Sequence, residues 1–151
     1  MRNVESWLAA LRVYTGFFWL AHGIPKILSG AFTGPDGQMI HFLRNAVANS
    51  VGGYHQFLVS VVLPHATTFA LLCEWGEVLA GISLLLGFFT RLGGIGATFL
   101  ALNYWAANGS FTDPGAYASF DILAAVLSVL HAILPTGRVF GVDGLVTIRR
   151  R

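Results

Sequence analysis

The stretch LLCEWGEVLAGISLLLGFFTR, Leu71 to Arg91, is apolar enough to lie in lipid, yet it carries two acids near its middle, Glu74 and Glu77. A charged side chain at a bilayer centre costs about 2.5 to 3.5 kcal/mol on insertion scales. Carboxylates three residues apart share one helix face, so that face is expected to look into a bundle with a polar interior. The rest of the chain has the composition for such a bundle. Of its 151 residues, 55% are hydrophobic and 11% are charged, and the mean hydropathy is +0.67. Soluble domains carry about 25% charged residues.

A spanning helix needs about 20 mostly apolar residues. Four segments approach this: 7–28, 65–89, 92–107 and 117–134. The expected fold class is therefore all-α, an integral membrane four-helix bundle, with 1–151 as one domain. The loop after the first segment is too long to be featureless. Asp36, following Gly34-Pro35, is placed to cap a helix. Met39, Ile40, Phe42, Leu43 and Val47 then recur at helical spacing, as do Tyr54, Phe57, Leu58, Val61 and Val62 after Gly52-Gly53. This predicts one or two short amphipathic helices in the first extracytoplasmic loop. Pro64 suits the first turn of the second span, and Asp113-Pro114 suits the cap and first turn of the fourth. Small residues at Gly76 and Ala80, and at Gly93, Ala97 and Ala101, allow close helix approach. The closing GRVFGVDGLVTIRRR reads as an extended or looped segment against the cytoplasmic face.

Positive charge sets the orientation. Arg2, Arg91, Arg138 and the triplet Arg149, Arg150 and Arg151 fall on one side if four helices span. Both termini are thus expected in the cytoplasm of a bacterial or archaeal cell, with the chain multi-pass in its cytoplasmic membrane. A rival reading makes the first segment a signal peptide ending near Ser29 to Ala31, but Arg12, His22 and Lys26 interrupt its apolar stretch. The basic residues form no nucleic-acid-sized patch, and the Arg tail faces lipid headgroups more naturally.

Depth at 1.5 Å per residue sorts the polar groups into two tiers. Glu77 falls about 20 Å and Arg12 about 25 Å from the outer surface, which predicts a structural ion pair between them. Nearer that surface lie Glu74 at about 15 Å, His22 at about 10 Å and Asn103 at about 7 Å, with Lys26, Asp121, Tyr104, Trp105 and Trp75 close by. Groups from all four helices would converge there on a polar pocket under an aromatic rim, suited to a quinone headgroup. His22, Glu74 and Asp121 are the candidate catalytic groups, positioning the ring and moving protons. His22, Lys26, Glu74, Asn103, Tyr104 and Trp105 are the candidate binding groups. The structural alternative is a satisfied hydrogen-bond network that fixes helix register.

Other chemistries fit less well. The lone Cys73 forms no intrachain disulfide and runs no dithiol chemistry alone. His22 and His131 sit at opposite ends, His41 and His55 in the loop, and His65 is too shallow to pair with His22, so no haem is expected. Nor is an iron–sulfur cluster or a metal site expected.

These residues resemble the DoxX/DoxD family of small four-helix membrane proteins. The first helix matches the family's pattern at Arg12, Gly16, His22, Gly23 and Lys26, and the second at Glu77, Gly81, Gly87, Thr90 and Arg91. The tail GRVFGVDGL looks like its closing segment, and the long first loop looks closer to the DoxD branch. The resemblance implies a membrane subunit of an oxidoreductase complex, quinone-reactive as in thiosulfate:quinone oxidoreductase, which works with a partner subunit (DoxA). Other members are associated with membrane complexes handling thiol or oxidative stress. The alternative is a non-catalytic anchoring subunit. A transporter is less well supported, because the chain is short and shows no repeat pair. Membrane lipid and a protein subunit are the expected partners, with an oligomer open and nucleic acid excluded.

Overall fold

A 28-residue helix, α1 (Arg2–Ser29), opens the chain and runs about 42 Å at 1.5 Å per residue. The computed structural model describes residues 2–34, 36–109 and 113–148. Pro35, part of the loop expected between Asn108 and Ala116, and the Arg149–Arg151 triplet lie outside these. After α1 come α2 (Gln38–Asn49), α3 (Gly52–Leu86), α4 (Thr90–Ala107), α5 (Phe120–Ile133) and α6 (Val142–Ile148). The described residues form no strand. The fold is all-α, built on two antiparallel helix pairs, α1 with α3 and α4 with α5.

Close approach sets the α1–α3 register. A Cβ on Gly16 would lie 2.6 Å from the Leu85 nitrogen, one on Gly81 2.9 Å from the Leu20 nitrogen, and one on Gly23 3.0 Å from the Val78 nitrogen. Extending that register puts Arg12 opposite Phe89 and Ser29 opposite Leu72. On the other pair, a Cβ on Gly94 would lie 2.5 Å from the Ala132 nitrogen. Ala97, Ala101, Ala124 and Ala125 are buried around Trp19 at the centre.

Five local expectations are corrected. The second amphipathic stretch of the first loop is not a separate helix, because it runs straight into the second span as one 35-residue helix. Pro64 therefore sits inside α3 rather than at its start. It lacks the N–H for an i→i−4 bond, and the helix accommodates it with a wide π-turn at Leu58–Val62 and a tight 3₁₀ turn at Leu63–His65. Gly37, not Asp36, precedes α2, and no side chain caps it. Asp113 caps a 3₁₀ turn, Pro114–Ala118, accepting from the Gly115 N–H at 2.8 Å, while Ser119 caps α5. The closing segment, read as extended or looped, forms a 3₁₀ turn at Thr136–Arg138 and then helix α6.

The N-terminal half of α1, the α3–α4 turn and the closing segment share one end of the bundle, the terminal end. α2 lies across the other, where Met39, Leu43 and Ala46 pack on Leu58, Val62 and Ala107. The outward faces are greasy: Leu79 is 62% exposed, Leu92 64% and Ile133 65%. By length and composition, Gly52–Leu86 can cross a membrane.

Gly16→Val should destabilise the purified protein by about 1 to 3 kcal/mol through overpacking, read as a lower unfolding temperature. Gly96→Ala, whose Cβ would meet nothing within 4 Å, should leave that temperature unchanged or raise it.

Candidate functional site

The buried face of α1 follows a helical stripe: Arg12, Thr15, Gly16, Trp19 and Gly23 are all buried, and Lys26 continues the line half-buried. On α3 the matching stripe is Ala70, Glu74, Glu77, Gly81 and Leu84. Both acids therefore face inward, at 4% and 1% exposure. Lys26 Nζ donates to Glu77 Oε1 at 2.6 Å and to the Tyr104 hydroxyl oxygen at 3.0 Å. The Tyr104 hydroxyl in turn donates to Glu77 Oε1 at 2.6 Å. The ammonium also lies 4.7 Å from the Phe32 ring centre and 5.0 Å from that of Tyr104, close enough for cation–π attraction. One carboxylate oxygen thus collects two donors. Glu77 Oε2 and Glu74 Oε2 are buried and meet no hydrogen-bond partner.

The expected Arg12–Glu77 pair is therefore corrected: the partner of Glu77 is Lys26. Depth counting failed because α3 extends well past the end of α1, so levels counted from the outer ends of the two helices do not match. The predicted pocket is also smaller than expected. His22 is exposed, with its Nδ1 2.8 Å from the Phe18 carbonyl oxygen. Asp121 accepts from the Asn108 amide at 2.9 Å. Trp105 donates to the Ala116 carbonyl at 3.2 Å, on another face of α4. Trp75 is 51% exposed. Of the predicted groups, the structure brings together Lys26 and Tyr104, with Asn103 nearby and Glu74 one turn along α3 from Glu77.

A cavity of about 370 Å³ adjoins the triad, between α2, α3 and α4. Tyr104 belongs to both, since it lines the cavity and binds Glu77. Most of the lining is apolar, including Phe42, Leu43, Phe69 and Leu100, and the polar contributors are Tyr54, Cys73, Asn103 and Tyr104. The Tyr54 hydroxyl donates to the Asn103 carbonyl at 3.3 Å. A mostly apolar pocket with a few placed polar groups is the usual form of a small-molecule site.

A second polar cluster closes the terminal end. Arg12 is fully buried and donates from Nη2 to the Phe140 carbonyl at 3.0 Å. Asp143 accepts from the Phe89 and Thr90 N–H groups at 2.9 and 3.0 Å, so a distant carboxylate caps α4. His131 is fully buried between the hydroxyls of Thr15 and Thr136, each 3.2 Å from a ring nitrogen. Glycine makes the room: a Cβ on Gly87, Gly137 or Gly141 would strike Arg12, Thr90 or Asp143. Sequence reasoning missed this cluster. The available signal was the Phe88-Phe89 start of α4, which offers no capping side chain, set beside the Gly-x-x-x-Gly-x-Asp run at Gly137 to Asp143.

A family model described as TQO small subunit DoxD matches residues 7–150. Neither curated proteins nor solved structures give a significant match.

Lys26→Met should cost about 3 kcal/mol or more, because it strands the Glu77 carboxylate. Adding Glu77→Leu should recover most of that loss, as read by thermal unfolding of the single and double variants. Asp143→Ala should cost about 0.5 to 2 kcal/mol as a lost cap. In hydrogen exchange it should selectively deprotect the first turn of α4.

Proposed function

The chain belongs to the DoxD family, and from that membership we propose that it is the quinone-reactive membrane subunit of a thiosulfate:quinone oxidoreductase-type complex. The exposed apolar faces of α3, α4 and α5 are its lipid contact. The terminal end, with Arg91 and Arg138, faces the cytoplasm. A partner subunit completes the reaction, in which two thiosulfates, one quinone and two protons give tetrathionate and one quinol.

The observation that carries this reading is Tyr104, shared between an apolar cavity and a buried Lys–Glu pair. A quinone ring in that cavity is held by apolar contact, with the Tyr104 hydroxyl turning its one proton from Glu77 to a carbonyl oxygen of the ring. On reduction, that oxygen takes the Tyr104 proton, and the Lys26 ammonium, hydrogen-bonded to the same hydroxyl and held by Glu77, replaces it. The second proton reaches the other carbonyl oxygen from the aqueous phase, with Glu74, one turn away, as its relay. The reading keeps Lys26, Glu74 and Tyr104 from the sequence-predicted groups, adds Glu77 and leaves out His22 and Asp121.

The anchoring role stays open as a second reading, because the same triad also fixes α1, α3 and α4 to one another. Quinone reduction by the complex purified with its own subunits separates the two. Tyr104→Phe should lower kcat by about 10²-fold with the assembly intact. Unchanged turnover would favour the anchor.

A further inference from the structure

The cavity has a direction. Its polar contributors on α4, Asn103 and Tyr104, lie toward the α2 end, where the Tyr54 hydroxyl reaches the Asn103 carbonyl, while Cys73 lies one turn from Gly76. From there the lining follows the α3–α4 seam to Gly76, Leu100 and Gly96, roughly 16 Å along α4 from Ala107 to Gly96. The α2 end is roofed by buried side chains, Met39 at 5% and Leu43 at 2%. The seam is not: Leu72 is 61% and Phe99 67% exposed, and Gly96 is exposed. Small residues keep it open. A Cβ on Gly96 would meet nothing within 4 Å, and one on Gly76 only the Leu100 side chain, at 3.3 Å.

A closed end with the Tyr54, Asn103 and Tyr104 groups and an open flank formed by Leu72, Gly76, Gly96, Phe99 and Leu100 fit an amphiphile held head-in. We propose that the cavity opens sideways between α3 and α4, at Gly76, Gly96 and Phe99. Through this slot the alkyl chain of a lipid-dissolved quinone leaves the protein while its ring stays beside Tyr104. The inference rests on the proposed quinone reading and adds the ligand class: a chain-bearing quinone entering from the bilayer, not a water-soluble one entering from the outer surface.

The test measures binding to the protein in lipid nanodiscs by quenching of its tryptophan fluorescence. Two probes share one ring: decylubiquinone, and the same dimethoxy-methyl-benzoquinone without a chain. Gly96→Phe fills the slot at a position with room for a side chain, and Leu72→Trp fills it from the other side. Each should weaken decylubiquinone binding about tenfold, the worth of roughly two buried methylenes. Affinity for the bare ring should stay within about twofold. Leu123→Phe, on an exposed face of α5, should change neither. If both probes bind and neither slot variant discriminates between them, the sideways opening is wrong while the quinone reading stands. A bound phospholipid that decylubiquinone does not displace overturns the slot assignment as well. If the wild-type protein binds neither probe, the quinone reading falls and the slot falls with it.

Discussion

A carboxylate sealed in apolar packing needs a donor, and Lys26 supplies it to Glu77 at 2.6 Å. That requirement ties three helices together, because the ammonium comes from α1, the carboxylate from α3 and the bridging phenol from α4. A buried ion pair adds little net stability compared with apolar packing, but a slipped register that stranded either charge would be heavily penalised. The pair therefore works as a register key. The glycine contacts at Gly16, Gly23 and Gly81 let the α1 and α3 backbones approach closely enough for it to engage.

With that register fixed, α3 must run on past the end of α1, and the chain has to cover the excess. α2 does so by folding across it and packing Met39 and Leu43 against Leu58 and Val62. The space left between this roof and the α3–α4 seam is the cavity. The site is thus a by-product of unequal helix lengths. At the opposite end α1 runs past the end of α3, and the closing segment packs there with the Arg12, Asp143 and His131 cluster.

The helices were legible because long apolar runs and their breaks leave few alternatives, and the inward face of Glu74 and Glu77 followed from their spacing. Partner choice was not, since it depends on the axial offset of two helices, which hydropathy does not encode. Periodicity held more information than depth did. The stripe through Arg12, Gly16, Trp19, Gly23 and Lys26 already leaves His22 to one side, and His22 is indeed exposed. Asp121 and Trp105 failed to join the pocket for a similar reason, as both are engaged by the segment around Asn108 to Ala116. The continuity of α3 through Pro64 was hidden because a π-turn absorbs the proline without ending the helix.

The cap that Asp143 places on Phe89 spans 54 positions of sequence. During synthesis, α4 leaves the ribosome with its first turn unsealed. It stays so until the closing segment has been made and has folded back beneath the Gly87 corner. Sealing of the α4 start therefore waits for synthesis of the segment that carries Asp143. A nascent chain stopped short of Asp143 lacks the clasp between the α4 start and the closing segment.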